Sequence, residues 1–374
     1  MNNLYNYRRS FFLILTLLYG LNSYAQEEAA AANFIDSTQA PQAVESAYEQ
    51  AYKQLVAMLT QKQPYSLKEA VFAVENAYFD QRLSYERFSQ SLALLAKLSK
   101  RYAKANPVQK YEERDEAQVN LAGAIFKVLT DTTSLMDKQA QVWYHLPYTY
   151  DFQDVWGEQE WVNTFVVKLL TLKSGNCHSL PLLYKLVAEE LDVPAYLALA
   201  PNHMYIKQRS LAAGWYNTEL TSATFPMDAW LSASGYIHTD AIRNRVYMDT
   251  LSQAYTLALC LVDLAQGYAQ KKPADHQAFV LKCLDLALAY YPHFAKAMVL
   301  KADVLSKELL ALQAEYGVDN IQALKEKPTV KPLYTSVEQL YIRAYKLGYR
   351  NVTKEMYVRW LQEMQNAQLN NQKP

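Results

Sequence analysis

The chain has 374 residues, with 37 basic and 37 acidic side chains, 51% hydrophobic residues, 30 tyrosines and only nine glycines. Glycine stands at about a third of its usual ~7%, and no two glycines lie within fifteen residues of each other, which excludes GxGxxG and Walker-type phosphate loops and disfavours an all-β chain, whose turns need glycine. The balanced charge, 35 basic against 37 acidic beyond residue 25, gives no basic footprint for nucleic acid, so a mainly helical globular protein is expected.

Residues 1–25 read as a secretory signal peptide. Arg8 and Arg9 precede an apolar run from Phe11 to Leu21, and Ser23-Tyr24-Ala25 forms a small-x-small cleavage site. The run is too short to span a bilayer and no later stretch reaches the required length, so the mature protein is expected to be periplasmic or secreted, with no membrane span after cleavage. In an oxidising compartment, three cysteines (Cys177, Cys260 and Cys283) leave at least one thiol unpaired. Cys260 and Cys283 either pair with each other or stay as buried thiols.

Residues 26–41 are small, polar and aperiodic, and are expected to be a flexible linker. An N-terminal helical region follows over 42–135. Ser66 with Glu69 is a capping box that opens a helix through Tyr78, and Ala70, Val71, Val74 and Tyr78 form its apolar stripe. Further helices are expected over Tyr85–Ala103 and Glu116–Leu129. The segment 136–250 differs in texture: it holds four of the nine glycines and strand patterns at 193–200, 203–209 and 214–220. It reads as a small α+β island in a mainly α chain. Helical periodicity returns over 251–365. Tyr268, Ala287 and Pro292, followed by KAMVLKADVL, resemble a tetratricopeptide (TPR-like) helix pair, and Val337–Leu361 a second degenerate unit. Residues 366–374 are expected to be a disordered tail.

The chemistry concentrates in the island. Gly175-Asn176-Cys177 precedes a helix with the stripe Leu180, Tyr184, Val187 and Leu191, and a thiol near a helix N-terminus favours its thiolate. Pro181 places the start of that helix either at Cys177, with a distorted first turn, or nearer Ser179. His203 opens a strand 26 residues after Cys177, and Glu219 lies 16 residues further on. Period-two alternation puts Trp215, Asn217 and Glu219 on one strand face, and His203 and Tyr205 on one face of theirs. A nucleophile, a base and a group that orients the base can therefore converge. Asn217 is the alternative orienting group. Asn176 and Trp215 are candidate supporting residues. For an oxyanion donor the candidates are the Cys177 backbone N–H, Trp161 and Asn163.

This arrangement resembles the core of the transglutaminase-like superfamily, a papain-like cysteine fold. The matching features, in order, are Gly175-Asn176-Cys177, Leu191-Asp192-Val193-Pro194-Ala195, the strand begun by His203, and Gly214-Trp215 four residues before the acid Glu219. The resemblance is close over some fifty residues. It implies Cys177 as nucleophile, His203 as general base and Glu219, in place of the family's Asp, as its orienting group. It also implies a transglutaminase-like core flanked by N-terminal helices and C-terminal TPR-like helical hairpins.

The function expected is an exported transglutaminase-like cysteine hydrolase or acyltransferase acting on peptide or amide bonds, with a peptide or protein substrate such as cell-wall peptide. The alternative is a catalytically inactive module that binds peptides or proteins in the envelope, its TPR-like helices holding a protein partner; a purely structural envelope component is a third reading. No cofactor is expected, and no metal: His178 adjoins Cys177, but neither HExxH nor CxxC accompanies it. The acids Asp151, Asp154, Glu158 and Glu160 read as a solvated run rather than a glycosidase pair.

Overall fold

The computed structural model describes residues 29–136, 141–271 and 276–371; the expected signal peptide lies outside them. The chain is mainly helical, with small sheets confined to its middle.

The N-terminal helices are α1 (Val44–Leu59), α2 (Leu67–Tyr78), α3 (Tyr85–Ala105) and α4 (Glu116–Thr130). Ser66 caps α2 as its pattern predicts, accepting the Glu69 N–H at 3.2 Å. Ser84 caps α3 in the same way. The stripe Ala70, Val71, Val74 and Tyr78 is buried. Residues 29–35, part of the segment expected to be a flexible linker, pack on the core: Ala30, Ala31 and Phe34 are buried, Phe34 meets Phe88 edge-on, and Ile35 bridges to Leu83. Their few apolar side chains are spaced to fill the groove beside α3, a local pattern that polar composition conceals.

In the middle, β1 (Thr133–Met136) and β2 (Val142–His145) pair antiparallel, and β3 (Thr149–Tyr150) pairs parallel with β4 (Ser174–Gly175). A 3-10 turn at Trp161–Thr164 and α5 (Val166–Leu172) lie between them in sequence. Next come α6 (Ser179–Glu190) and the antiparallel sheet β5 (Tyr196–Ala200), β6 (His203–Ser210) and β7 (Gly214–Thr218), ordered β5-β6-β7. Helix α6 packs on β5 and β6 on one side and on α3, α4 and α5 on the other. Two glycines here have a physical requirement. A Cβ on Gly175 would lie 2.3 Å from Ser179 Oγ, and Gly214 takes φ +71° in the β6–β7 turn.

Short helices α7 (Asp228–Ser234) and α8 (Thr239–Arg243) lead to α9 (Gln253–Lys271), α10 (Gln277–Tyr290), α11 (Ala295–Tyr316), α12 (Lys331–Lys346) and α13 (Lys354–Asn371). Successive members from α9 to α12 pack side by side, and α9 also packs on α1 and α2. Helix α13 continues through Asn371, past the point where a disordered tail was expected to begin. Its Tyr357 and Trp360 turn back to the sheet, against His203. A single core extends from Ala30 to Leu361 through all three regions of the chain, with a smaller cluster around Leu305, Leu309 and Val337 beneath α11 and α12. Cys177, Cys260 and Cys283 are all free and buried, so the pairing of Cys260 with Cys283 does not occur.

One buried acidic side chain ties two of these regions together. Glu75 on α2 accepts the N–H groups of Val166 (2.7 Å) and Val167 (3.0 Å), covering the open N-terminus of α5. Burial outweighs those donors and raises the carboxyl from 4.5 to about 8. Between these values the folded chain holds a proton that the unfolded chain has lost. The group's contribution is therefore complete below pH 4.5 and is lost as pH rises toward 8. Glu75→Gln keeps an uncharged acceptor, so relative to wild type it is expected to gain about 1 kcal/mol per pH unit across this window, read from urea midpoints. A wild-type–variant difference that stays constant from pH 5 to 8 would overturn the assignment.

Candidate functional site

The thiol sits on a short turn whose shape is fixed from both sides. Gly175 pairs with Tyr150 in the β3–β4 ladder. Asn176, 2% exposed, turns its side-chain oxygen to the N–H groups of His178 (2.9 Å) and Ser179 (3.4 Å). Ser179 Oγ accepts the Asn176 N–H and donates to the Asn163 carbonyl. Asn176 is thus the side chain that starts α6, and it positions the turn carrying Cys177. The helix begins at Ser179, the later of the two starts allowed by Pro181, which leaves Cys177 two residues ahead of the first helical residue.

His203 is delivered by the two-residue turn Pro201-Asn202 between β5 and β6. Asn202 takes φ +54°, a left-handed conformation that asparagine tolerates. Its carbonyl lies 3.7 Å from Cys177 Sγ, and its amide donates to Val352 O at 3.1 Å. The β6–β7 ladder ends with Ile206 opposite Thr218. Glu219 therefore stands just beyond the paired strand, where its longer side chain reaches His203. His203 Nε2 lies 2.6 Å from Glu219 Oε2, and the other carboxylate oxygen accepts the Thr221 N–H at 2.8 Å. Both partners are almost wholly buried, with side chains 0% and 1% exposed.

The other face of the imidazole meets α13. The Tyr357 hydroxyl lies 3.1 Å from His203 Nδ1 and donates to Cys177 Sγ at 3.1 Å, bridging ring and sulfur. Trp360 packs perpendicular to the His203 ring at 4.6 Å, anchored by its own N–H on Ser234 Oγ. Tyr150 is buried beside Cys177 and Tyr357, and burial together with the Cys177 charge raises its hydroxyl well above the usual range.

Electrostatics in this buried group favour charge separation. Burial pushes the Cys177 thiol up, but the hydrogen bonding and positive charge of His203, with the Tyr357 hydroxyl, bring it below the ordinary thiol value. Burial alone would lower His203; the Glu219 carboxylate and the sulfur hold it up, at about 10. The other two thiols behave oppositely, burial raising both Cys260 and Cys283.

A cavity of about 450 Å³ opens onto Cys177 and His203, between the island and the C-terminal helices. Its wall includes Trp156, Trp161, His178, Asp263, Phe294 and Leu300. The indole N–H groups of Trp156 and Trp161 are buried without a hydrogen-bond partner among the described residues. His178 Nε2 lies 3.0 Å from Asp263 Oδ2 on α9. Among the described residues, no cluster of three or more His, Cys, Asp or Glu side chains is placed to hold a metal ion.

The sequence-based candidates divide clearly. Cys177, His203 and Glu219 converge, and Asn176 supports the turn. Asn217 does not orient His203: two residues back along β7, its amide donates to Pro226 O and Asp228. Trp215 is half-exposed and packs on Tyr196. Asn163 is spent on structure, donating to Asp154 O and accepting from Lys168. The acidic run is likewise structural: Asp154 accepts the N–H groups of Glu158, Gln159 and Glu160, and Asp151 pairs with Lys168. Residue patterning missed Tyr150, Asp263, Tyr357 and Trp360. The one signal for the last two is the 357/360/361 spacing, which marks a buried helix face without saying what it covers.

Comparison with protein-family models and with characterised proteins finds no match. Among solved structures the chain is similar to one described as "Crystal structure of menin reveals the binding site for Mixed Lineage Leukemia (MLL) protein". The identity is 11%, over 90% of this chain and 93% of that one, with a TM-score of 0.32. A likeness at that score carries no argument about this fold or site.

The bridging hydroxyl makes a direct prediction. Tyr357→Phe removes the donor that stabilises the thiolate without changing ring packing. The apparent pKa of Cys177, followed by the pH dependence of its alkylation, is expected to rise by about one unit, the shift that loss of a charge-assisted hydrogen bond produces. An unchanged alkylation profile would remove Tyr357 from the site.

Proposed function

We propose that this protein is a thiol acyl-transfer enzyme, built on a transglutaminase-like core, that cleaves or exchanges amide bonds in peptides outside the cytoplasm. The observation that carries the reading is the buried chain from Cys177 through Tyr357 and His203 to Glu219, which ends in the floor of a cavity large enough for a peptide side chain. A thiolate held by an imidazolium is the attacking form of cysteine. Cys177 Sγ attacks the carbonyl carbon, the C–N bond breaks, and the leaving amine takes the Tyr357 hydroxyl proton as Tyr357 takes the one on His203 Nδ1. Glu219 fixes the ring and stabilises its cationic form. The Cys177 backbone N–H, which has no hydrogen-bond partner among the described residues, is the donor available to the developing oxyanion. The leader motif at 1–25 supports export, and the paired helices α9 to α12 support the TPR-like reading of the wall opposite the thiol.

A second reading has its own support. Tyr357 occupies the space between sulfur and base, which suits a non-catalytic core whose cavity only binds a peptide. Alkylation separates the two. With iodoacetamide from pH 4 to 9, Cys177 is expected to react selectively at and below neutral pH, while Cys260 and Cys283 stay unmodified. His203→Ala is expected to abolish the low-pH reaction, and Glu219→Ala to weaken it by an order of magnitude or more, the scale of lost base assistance. A Cys177 that reacts no faster than the other two thiols favours the binding reading.

A further inference from the structure

We propose that His178, held by Asp263, is the base that activates the second nucleophile, the one that releases the acyl group from Cys177. This rests on the thiol acyl-transfer reading above.

The two histidines next to the thiol are built for different work. His203 has no free nitrogen: Nε2 is on Glu219 and Nδ1 is on Tyr357, and its side chain is 0% exposed. It is tied to the sulfur. His178 follows Cys177 in sequence and lines the same cavity, with its side chain 17% exposed. Its Nε2 lies 3.0 Å from Asp263 Oδ2, and its Nδ1 has no hydrogen-bond partner among the described residues. A carboxylate on one ring nitrogen fixes the tautomer that leaves the other nitrogen as acceptor. Asp263 is itself fixed on α9, the long helix packed against α1 and α2, so the pair does not depend on a mobile loop. The ring's backbone is fixed as well, by the Asn176 side chain that accepts the His178 N–H. The cavity therefore presents an oriented, accessible imidazole on the wall beside the nucleophile, with no structural bond on its outward nitrogen.

The step balances without another reagent beyond the nucleophile itself, water or a primary amine. The incoming O–H or N–H gives its proton to His178 Nδ1 as its lone pair forms the new bond to the thioester carbonyl carbon. Collapse of the tetrahedral adduct breaks the C–S bond and returns the sulfur as thiolate. Asp263 stabilises the His178 imidazolium until its proton passes, through cavity water and the Tyr357 hydroxyl, to His203, which gave up its own proton in the first step; the thiolate–imidazolium pair is thereby restored.

The test uses the purified mature protein and p-nitrophenyl acetate in stopped flow. Wild type is expected to release a burst of nitrophenolate as Cys177 is acetylated, then to turn over slowly. His178→Gln is expected to keep the burst, to slow the steady phase at least tenfold, and to accumulate acetyl-Cys177 by mass spectrometry. Asp263→Asn is expected to show the same split, less severely. Added ethylamine should speed the steady phase of wild type and not of His178→Gln if the acceptor is an amine; insensitivity of both, with the split intact, assigns the role to water. A steady phase unchanged in His178→Gln overturns the proposal. So does loss of burst and steady phase together in both variants, which marks the pair as structural. A wild-type chain that gives no burst fails the thiol acyl-transfer reading itself.

Discussion

The hydrogen bond between His203 Nε2 and Glu219 Oε2, 2.6 Å long and sealed from water, places a charge where the protein can hold one only if every neighbour cooperates. An ionised carboxylate in a low-dielectric interior is costly unless it is paired and its remaining oxygen satisfied. Here the imidazolium pairs one oxygen and the Thr221 N–H takes the other. The imidazolium in turn needs a partner on Nδ1, which Tyr357 supplies, and that hydroxyl needs an acceptor, which is the sulfur. With His203 as imidazolium, the donors run in one direction through Tyr357 to Cys177, and that arrangement ends on a thiolate.

That requirement explains why the C-terminal helix returns to the middle of the molecule. Without Tyr357 and Trp360, His203 would face the cavity mouth, and water would compete for Nδ1. Helix α13 is therefore part of the site, and the loop leading into it is fastened by the Asn202 amide on Val352 O. A related compensation operates at Glu75, where a buried carboxyl group from α2 covers the N-terminus of α5, the helix that precedes the thiol turn. In both cases a polar group from a distant part of the chain compensates a local deficit, and one apolar core unites all of these parts.

What the sequence discloses follows from the range of the forces involved. Ser66 and Glu69 predict α2 because capping is settled within four residues. Pro181 narrows the start of α6, and strand alternation groups Asn217 with Glu219 and His203 with Tyr205, since both are properties of adjacent residues. The choice between Glu219 and Asn217 is not local. It turns on where the β6–β7 ladder stops and on Asp228, which engages the Asn217 amide. Residues 29–35 are misread for a related reason: three or four apolar side chains in a polar segment become structure only beside a groove that other helices create. Tyr357, 180 residues from Cys177, is visible as one position of an apolar stripe, and a stripe carries no information about its partner.

The two histidines show how burial divides labour within one site. Both face a carboxylate, at 2.6 Å for His203 and 3.0 Å for His178, so pairing alone does not distinguish them. What differs is the second ring nitrogen, saturated in His203 and open in His178. A saturated, dehydrated imidazole can exchange a proton only along its existing hydrogen bonds, here through Tyr357 toward the sulfur. An imidazole with an open nitrogen and partial exposure can take a proton from a molecule that arrives and departs. The acyl transfer proposed for this site would use both properties, because its first nucleophile is permanent and its second is not. Cys177 stands between them at the start of α6, with one histidine across the chain and the other next to it in sequence.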